Sequence, residues 1–173
     1  HQSKLTRREF IRYTGLSAAG LALGCATNPV TGRTQLMLLS EGEEIQLDRQ
    51  SSPFQISADY GQVQDRALSA YVSGVGMRLA AKTQRPQMPY MFRPVNAVYV
   101  NAYAFPGGTI AATRGILLKL KNEAELAALL GHELGHVNAR HAAQQASQAM
   151  ITQALLGSVA LLAGTVSQAL GDI

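Results

Sequence analysis

The sequence predicts an α+β fold in which a long amphipathic helix packs beside a small, mostly antiparallel sheet. Apolar residues recur at helical spacing after position 122, and a strand–turn–strand pattern precedes them over 90–118. With 173 residues and 47% hydrophobic content, the chain can bury one core. Its formal charge of +4 is too diffuse to indicate nucleic-acid binding, because much of the excess lies near the start.

A targeting signal is predicted at the N-terminus. The paired arginines Arg7 and Arg8, followed by Phe10, resemble the twin-arginine export motif. An apolar run from Tyr13 to Gly24, rich in small residues, comes next and is too short for a stable membrane span. We therefore expect an exported bacterial protein.

Cys25 directly follows this run and is the only cysteine, so it cannot form a disulfide within the chain. Its position resembles a lipoprotein cleavage site, where the cysteine is lipidated, although Ala22 stands where leucine is usual. The alternative is a small buried thiol. Residues 1–25 are thus predicted to be a twin-arginine-type lipoprotein signal. A lipid on Cys25 would anchor the protein to a membrane at the periplasmic face of the envelope.

A tether and two helices are predicted next. Residues 26–39, which include proline and glycine, are expected to form a tether or irregular arm. Ser40 and Glu43 make a capping box that opens a helix through about Arg49. Apolar residues at helical spacing predict a second helix from about Val63 to Ala81.

The stretch from Tyr90 to Leu118 predicts the sheet. Its first half is rich in β-branched and aromatic residues, and Pro106-Gly107-Gly108 marks a turn. The segment from Thr109 to Ile116 is expected to return as a strand.

One part of this sheet is a candidate substrate edge, made of Asn101, Ala102, Tyr103 and Ala104. An edge strand can bind a polypeptide as an added strand through main-chain hydrogen bonds, which accept many side chains. The residues alone fit an ordinary hairpin packed under the next helix equally well.

A helix after Asn122 is predicted from its N-cap and from the spacing of its apolar residues. Asn122 followed by Glu125 resembles an N-cap with a partial capping box, and acidic residues suit the positive end of a helix. No proline interrupts the apolar positions, which are Leu126, Leu129, Leu130, Leu134 and Val137.

The helix carries a His-Glu-x-x-His pattern at His132, Glu133 and His136. A spacing of four places both imidazoles on one face, where they can share a zinc ion. Glu133 lies beside them and can take a proton from a metal-acidified water. Two histidines on an ordinary buried helix are the alternative, but the full pattern is rarer. We predict a zinc-dependent peptide hydrolase with one Zn²⁺ per site, in which Glu133 is the catalytic base.

A catalytic zinc site needs three protein ligands, and the sequence clearly supplies two. A third histidine six residues after the second would stand at Ala142. His141 would point away from the metal on a continuing helix, so we expect a solvated or capping histidine. No glutamate follows Glu133. We therefore expect a catalytic domain over 40–173 that is incomplete at its C-terminus, the front part of a longer protein.

The stretch from Met150 to Leu170 carries no charged residue. Its length approaches the roughly 20 residues that span a bilayer. Polar residues such as Gln153 and Gln168 lower its hydrophobicity, which favours a helix over the active site or in a homo-oligomer contact. A membrane span stays open as the alternative.

Four segments in combination resemble a known family. They are Cys25 to Gly32, Asn101 to Gly108, Thr113 to Gly115, and His132 to His141. Together they are similar to the zinc metallopeptidase family of the CAAX prenyl endopeptidase and the bacterial heat-shock membrane protease, in its exported lipoprotein or periplasmic branch.

The resemblance implies a zincin-like fold of the gluzincin type, of which this chain would be the N-terminal half of the catalytic domain. A glutamate on a later helix would complete the zinc site, with His132 and His136 as ligands and Glu133 as the base. That glutamate, and the later residue that steadies the transition state, have no counterpart in this sequence. The implied activity is proteolysis of misfolded envelope proteins, a form of protein quality control.

A non-catalytic, chaperone-like lipoprotein is the alternative function. It would bind unfolded envelope proteins through the sheet edge and the apolar tail. In that case zinc would be structural or absent, and replacing Glu133 would change nothing measurable.

Overall fold

The computed structural model describes residues 25–154 and 156, so most of the predicted signal lies outside the described residues. The strands are β1 (Cys25–Thr27), β2 (Thr34–Leu36), β3 (Met91–Val95), β4 (Ala102–Ala104) and β5 (Thr109–Thr113). The helices are α1 (Glu41–Ala58), α2 (Arg66–Ala80), α3 (Arg114–Leu117), α4 (Glu123–Asn138) and α5, which covers 141–154. Helices and small sheets are mixed, as in the predicted α+β class.

Helix α1 begins at the predicted capping box but is longer than expected. The Ser40 hydroxyl accepts a hydrogen bond from the backbone of Glu43, whose carboxylate accepts one from the Ser40 backbone. The helix then continues past Arg49 to Ala58. Its buried residues are Glu44, Asp48 and Ser52, four positions apart. Because this buried face is polar, no apolar stripe marked the true length of the helix.

Helix α2 lies within the range predicted for it. The Asp65 carboxylate caps it by accepting hydrogen bonds from the backbones of Ala67 and Leu68. The helix packs closely on β3, because a Cβ atom at Gly76 would lie 2.4 Å from the ring of Phe92. This contact belongs to the main core, which α2, β3, β5 and α4 share.

The three-stranded sheet has the order β3-β5-β4, with β5 fully buried at its centre. β4 runs antiparallel to β5, but β3 runs parallel to it, with Met91 opposite Thr109. The prediction of a mostly antiparallel sheet was therefore wrong for β3. β4, the next strand in the chain after β3, does not pair with it, because β5 lies between the two. A local sequence pattern does not indicate this strand order.

The loop between β3 and β4, residues 96–101, is fixed to the end of β5 and the start of α3. The Thr113 hydroxyl lies 2.6 Å from the carbonyl oxygen of Tyr99 and 2.9 Å from that of Asn101. A Cβ atom at Gly115 would lie 2.2 Å from the carbonyl oxygen of Val98. Only glycine lets the loop approach this closely, and the approach sets where β4 begins.

The predicted tether is instead a folded hairpin. β1 pairs antiparallel with β2, and the Asn28 side chain closes the turn by accepting hydrogen bonds from the backbones of Val30 and Thr31. Met37 and Leu39 are buried against Ala143 of α5. The prediction of an irregular arm was wrong, because the partners of this segment lie more than a hundred positions later in the chain.

Within 25–154, no helix is both long enough and apolar enough to cross a membrane. The apolar stretch predicted over 150–170 lies largely outside the described residues.

Candidate active site

A cleft of about 430 Å³ lies between the edge strand β4 and helix α4. Residues 101–106 form one wall of this cleft. The other wall carries His132, Glu133 and His136 from α4 and His141 from α5. The structure thus brings the whole predicted motif and the whole predicted substrate edge to one place.

The two histidines of the motif meet through their Nε2 atoms, which lie 3.2 Å apart. Two nitrogens bound to one tetrahedral zinc at about 2.0–2.1 Å are roughly 3.3–3.4 Å apart. Imidazole nitrogen is also a ligand that zinc prefers. His132 and His136 therefore fit the donor set and the spacing of a shared zinc ion.

Among the described residues, His132 and His136 provide two candidate zinc ligands. No group of three or more His, Cys, Asp or Glu side chains in this part of the chain is placed to hold a metal ion.

Glu133 borders the same cleft from a sheltered position. Glu133 is a buried residue, at 8% exposure, while His132 beside it on α4 is exposed. A carboxylate that lines a cleft yet is largely removed from bulk solvent is well placed to exchange a proton with a molecule held there.

His141 lies against His136, contrary to the prediction that it would point away. The Nδ1 atoms of the two rings are 2.8 Å apart. The prediction assumed one continuous helix, but α4 ends at Asn138 and Arg140 adopts a left-handed backbone conformation with φ of 59°. This break lets α5 start in a new direction and places His141 against His136.

A buried ion-pair cluster holds the break in place. The Arg140 guanidinium donates to Glu44 at 2.7 Å and to the carbonyl oxygen of Leu39 at 2.6 Å. Glu44 is fully buried and also pairs with Arg85. One carboxylate of α1 therefore joins two arginines, one of which lies at the helix break.

The last carbonyl groups of α4 are also bound. Arg85 donates to the carbonyl oxygen of Val137 at 3.0 Å, and its backbone N–H donates to the Asn138 side chain at 3.0 Å. The Asn28 amide of the hairpin donates to the carbonyl oxygen of Ala139 at 3.1 Å. Because these carbonyls have no partner inside the helix, such bonds fix the end that carries His136.

Strand β4 presents a free edge to the cleft. Tyr103 is paired with Ala111 and Ala104 with Ile110 on the side of β5. On its other side β4 has no strand partner among the described residues. Its unpaired main-chain groups can therefore bind an extended peptide.

Two tyrosines anchor this strand to the end of α1. The hydroxyls of Tyr103 and Tyr99 donate to the two oxygens of Asp59, the latter at 2.8 Å. Burial raises the pKa of Asp59, but these hydroxyl donors and the Gln55 amide outweigh it and hold the pKa below its usual value. Burial and the same hydrogen bond raise the pKa of Tyr103 well above its usual value. Because the Tyr103 hydroxyl donates to Asp59, it holds β4 in position.

Residues 66–172 match Peptidase family M48, which is more than half of the chain. The chain belongs to this family. It is 30% identical over 159 residues to the beta-barrel assembly-enhancing protease of Escherichia coli K12, a match that covers 85% of the chain and 31% of that protein. The protein of the same name from Yersinia pestis is 34% identical over 112 residues, or 62% of the chain and 23% of that protein.

A eukaryotic protein is similar to the same M48 chain. Mitochondrial metalloendopeptidase OMA1 of Arabidopsis thaliana is 46% identical over 50 residues, or 29% of the chain and 10% of that protein. The chain spans about a third or less of the length of these relatives. Membership of Peptidase family M48 confirms the predicted family, whose members depend on a metal ion, and the Arabidopsis thaliana relative carries the name metalloendopeptidase.

Sequence analysis did not predict the buried ion-pair cluster at the break between α4 and α5. The cluster consists of Glu44, Arg85 and Arg140, which come from three separate parts of the chain. The polar residues at four-residue spacing in α1 were the available signal, since a glutamate on a buried helix face needs a charged partner.

Proposed function

We propose that this chain binds zinc and acts as part of a metalloendopeptidase that hydrolyses peptide bonds in proteins of the bacterial envelope. The observation that carries the proposal is the pair of imidazole nitrogens 3.2 Å apart in a cleft beside a free strand edge. The names of the bacterial relatives support envelope substrates, because β-barrel proteins of bacteria belong to the outer membrane.

His132 and His136 would hold the zinc ion through Nε2, and one further protein ligand would come from outside the described residues. When bound, zinc in such a site acidifies a water molecule and polarises the substrate carbonyl. The Glu133 carboxylate would accept the proton of the attacking water and return it to the leaving amine. Neither step requires a covalent bond between the protein and its substrate.

The substrate would bind as an extended strand along β4, at 101–104. Main-chain hydrogen bonds to this edge do not depend on the side chains of the substrate, which suits a protease that acts on unfolded proteins of many sequences. The hydrogen bonds from Tyr99 and Tyr103 to Asp59 would keep the strand in place while its free edge is occupied.

The predicted lipid anchor extends the proposal to location. Cys25 begins β1, whose hairpin packs on α5 beside the cleft. A lipid attached to Cys25 would therefore be joined to the catalytic domain through a folded element, and the protein would act at the periplasmic face of the envelope.

Cleavage of a denatured outer-membrane protein by the full-length protein tests this function. We expect cleavage that a zinc chelator abolishes and added zinc restores, and we expect Glu133→Gln to remove it while zinc remains bound. Glu125→Gln changes an acid of the same helix that does not border the cleft, and it should cleave normally. If Glu133→Gln cleaved as fast as the wild-type protein, the catalytic proposal would be wrong.

The chaperone-like alternative makes a different prediction for the same samples. Wild-type protein and Glu133→Gln would then suppress aggregation of the denatured substrate equally well, and neither would cleave it.

A further inference from the structure

His141 borders the cleft but has no part in the chemistry proposed above. We propose that His141 is a positioning residue for the zinc site, which accepts a hydrogen bond from Nδ1–H of His136 and so orients that ring. The inference rests on the proposed function, because it requires His136 to bind zinc through Nε2.

The two nitrogens of His136 have different neighbours. Its Nε2 lies 3.2 Å from Nε2 of His132, and its Nδ1 lies 2.8 Å from Nδ1 of His141. A neutral imidazole carries one N–H and one lone pair. If the lone pair at Nε2 binds zinc, the hydrogen must be on Nδ1, and His141 must accept it. His141 then carries its own hydrogen on Nε2.

The same geometry excludes His141 as a ligand of the shared ion. His132 and His141 approach opposite sides of the His136 ring, so an ion between His132 and His136 is out of reach of His141. Ring nitrogens of zinc-binding histidines usually donate to an oxygen, which fixes the tautomer and the ring direction. Here a neutral histidine takes the place of that oxygen.

The backbone explains how His141 reaches this position. On an unbroken helix, a residue five positions later lies roughly 140° around the axis. The left-handed conformation at Arg140 breaks the helix, and the bond from Arg140 to the buried Glu44 holds that conformation. Such a conformation is uncommon for residues other than glycine and persists where the surroundings enforce it.

Zinc affinity of the full-length protein, measured by competition with a chromophoric chelator, tests the inference. His141→Leu removes the acceptor, and we expect zinc to bind about 10–100-fold more weakly. His141→Asn keeps an acceptor oxygen at the δ position and should retain most of the affinity. Gln148→Leu makes a similar polar-to-apolar change at an exposed position of α5 and should bind zinc normally.

The outcomes separate this inference from the proposed function. If the wild-type protein binds no zinc, both are wrong. If His141→Leu binds zinc as tightly as the wild type, or if the Asn variant loses as much affinity as the Leu variant, the positioning role alone is overturned.

Nitrogen-15 NMR of the zinc-loaded wild-type protein gives a second, independent readout. We expect the hydrogen of His136 on Nδ1 and that of His141 on Nε2. A hydrogen on Nδ1 of His141 would overturn the inference, because that ring could not then accept the bond.

Discussion

Replacing Glu44 with glutamine removes the carboxylate that two arginines share at the helix break. Glu44 is fully buried, and the side chains of Arg85 and Arg140 are 6% and 13% exposed. Glutamine preserves the shape and one acceptor oxygen but not the charge. Two guanidinium groups therefore remain inside the protein with less compensation for their lost hydration.

The contacts that survive set the expected size of the effect. Removing one partner of a buried ion pair costs about 3–5 kcal/mol. Arg85 keeps Glu41 at 3.0 Å and the carbonyl oxygen of Val137, and Arg140 keeps the carbonyl oxygen of Leu39. Because these partners remain, we expect Glu44→Gln to lower the free energy of unfolding by about 3 kcal/mol, at the lower end of that range.

Urea denaturation followed by circular dichroism measures this loss. Glu123→Gln is the matched control, because it breaks an ion pair with Arg78 whose side chains are 63% (Arg78) and 52% (Glu123) exposed. Exposed pairs contribute about 0–1 kcal/mol, so the control should lose no more than that. If Glu44→Gln lost no more stability than the control, the buried cluster would not hold the helix break.

Other substitutions test the base, the anchor of the edge strand and the close packing. Glu133→Gln should bind zinc but lower kcat on an unfolded protein about 10²–10⁴-fold, because glutamine cannot accept the proton; unchanged kcat would refute its role. Asp59 has a lowered pKa, so its stabilisation is complete above the usual value of 3.8 and is lost as the pH falls through the folded-state value. Acid titrations of stability should therefore be flatter for Asp59→Asn than for the wild type, and identical curves would contradict this. Tyr103→Phe should cost about 1–2 kcal/mol in urea denaturation, for the lost hydrogen bond; no loss would mean that this bond does not anchor β4. Gly115→Ala should lower the free energy of unfolding by about 1–3 kcal/mol, because the added Cβ would meet a carbonyl oxygen. Gly42→Ala is the control, because a Cβ at Gly42 would lie in open space; equal stability of the two variants would refute the packing argument.

Local chemistry made part of this fold predictable from the sequence. The Ser40–Glu43 box and the Asn122 cap each involve residues three positions apart, so a short window contains the whole interaction. The histidine pair was predictable for the same reason, because helical geometry alone places the two rings together.

The remaining features depend on partners that lie far away in the chain. The parallel pairing of β3 and β5 skips a strand, and the bond from Asn28 to Ala139 spans 111 positions. The position of His141 depends on Arg140, whose partner Glu44 is 96 positions away. A periodicity window cannot detect such interactions, which is why the hairpin and the helix break were both missed.

Anomalous scattering at the zinc edge, from crystals of the full-length protein, tests the central claim most directly. We predict one peak per chain, within about 2.0–2.1 Å of the Nε2 atoms of both His132 and His136. Crystals grown with zinc at a pH where imidazole is neutral that show no peak there, or show the ion bound elsewhere, would contradict the account.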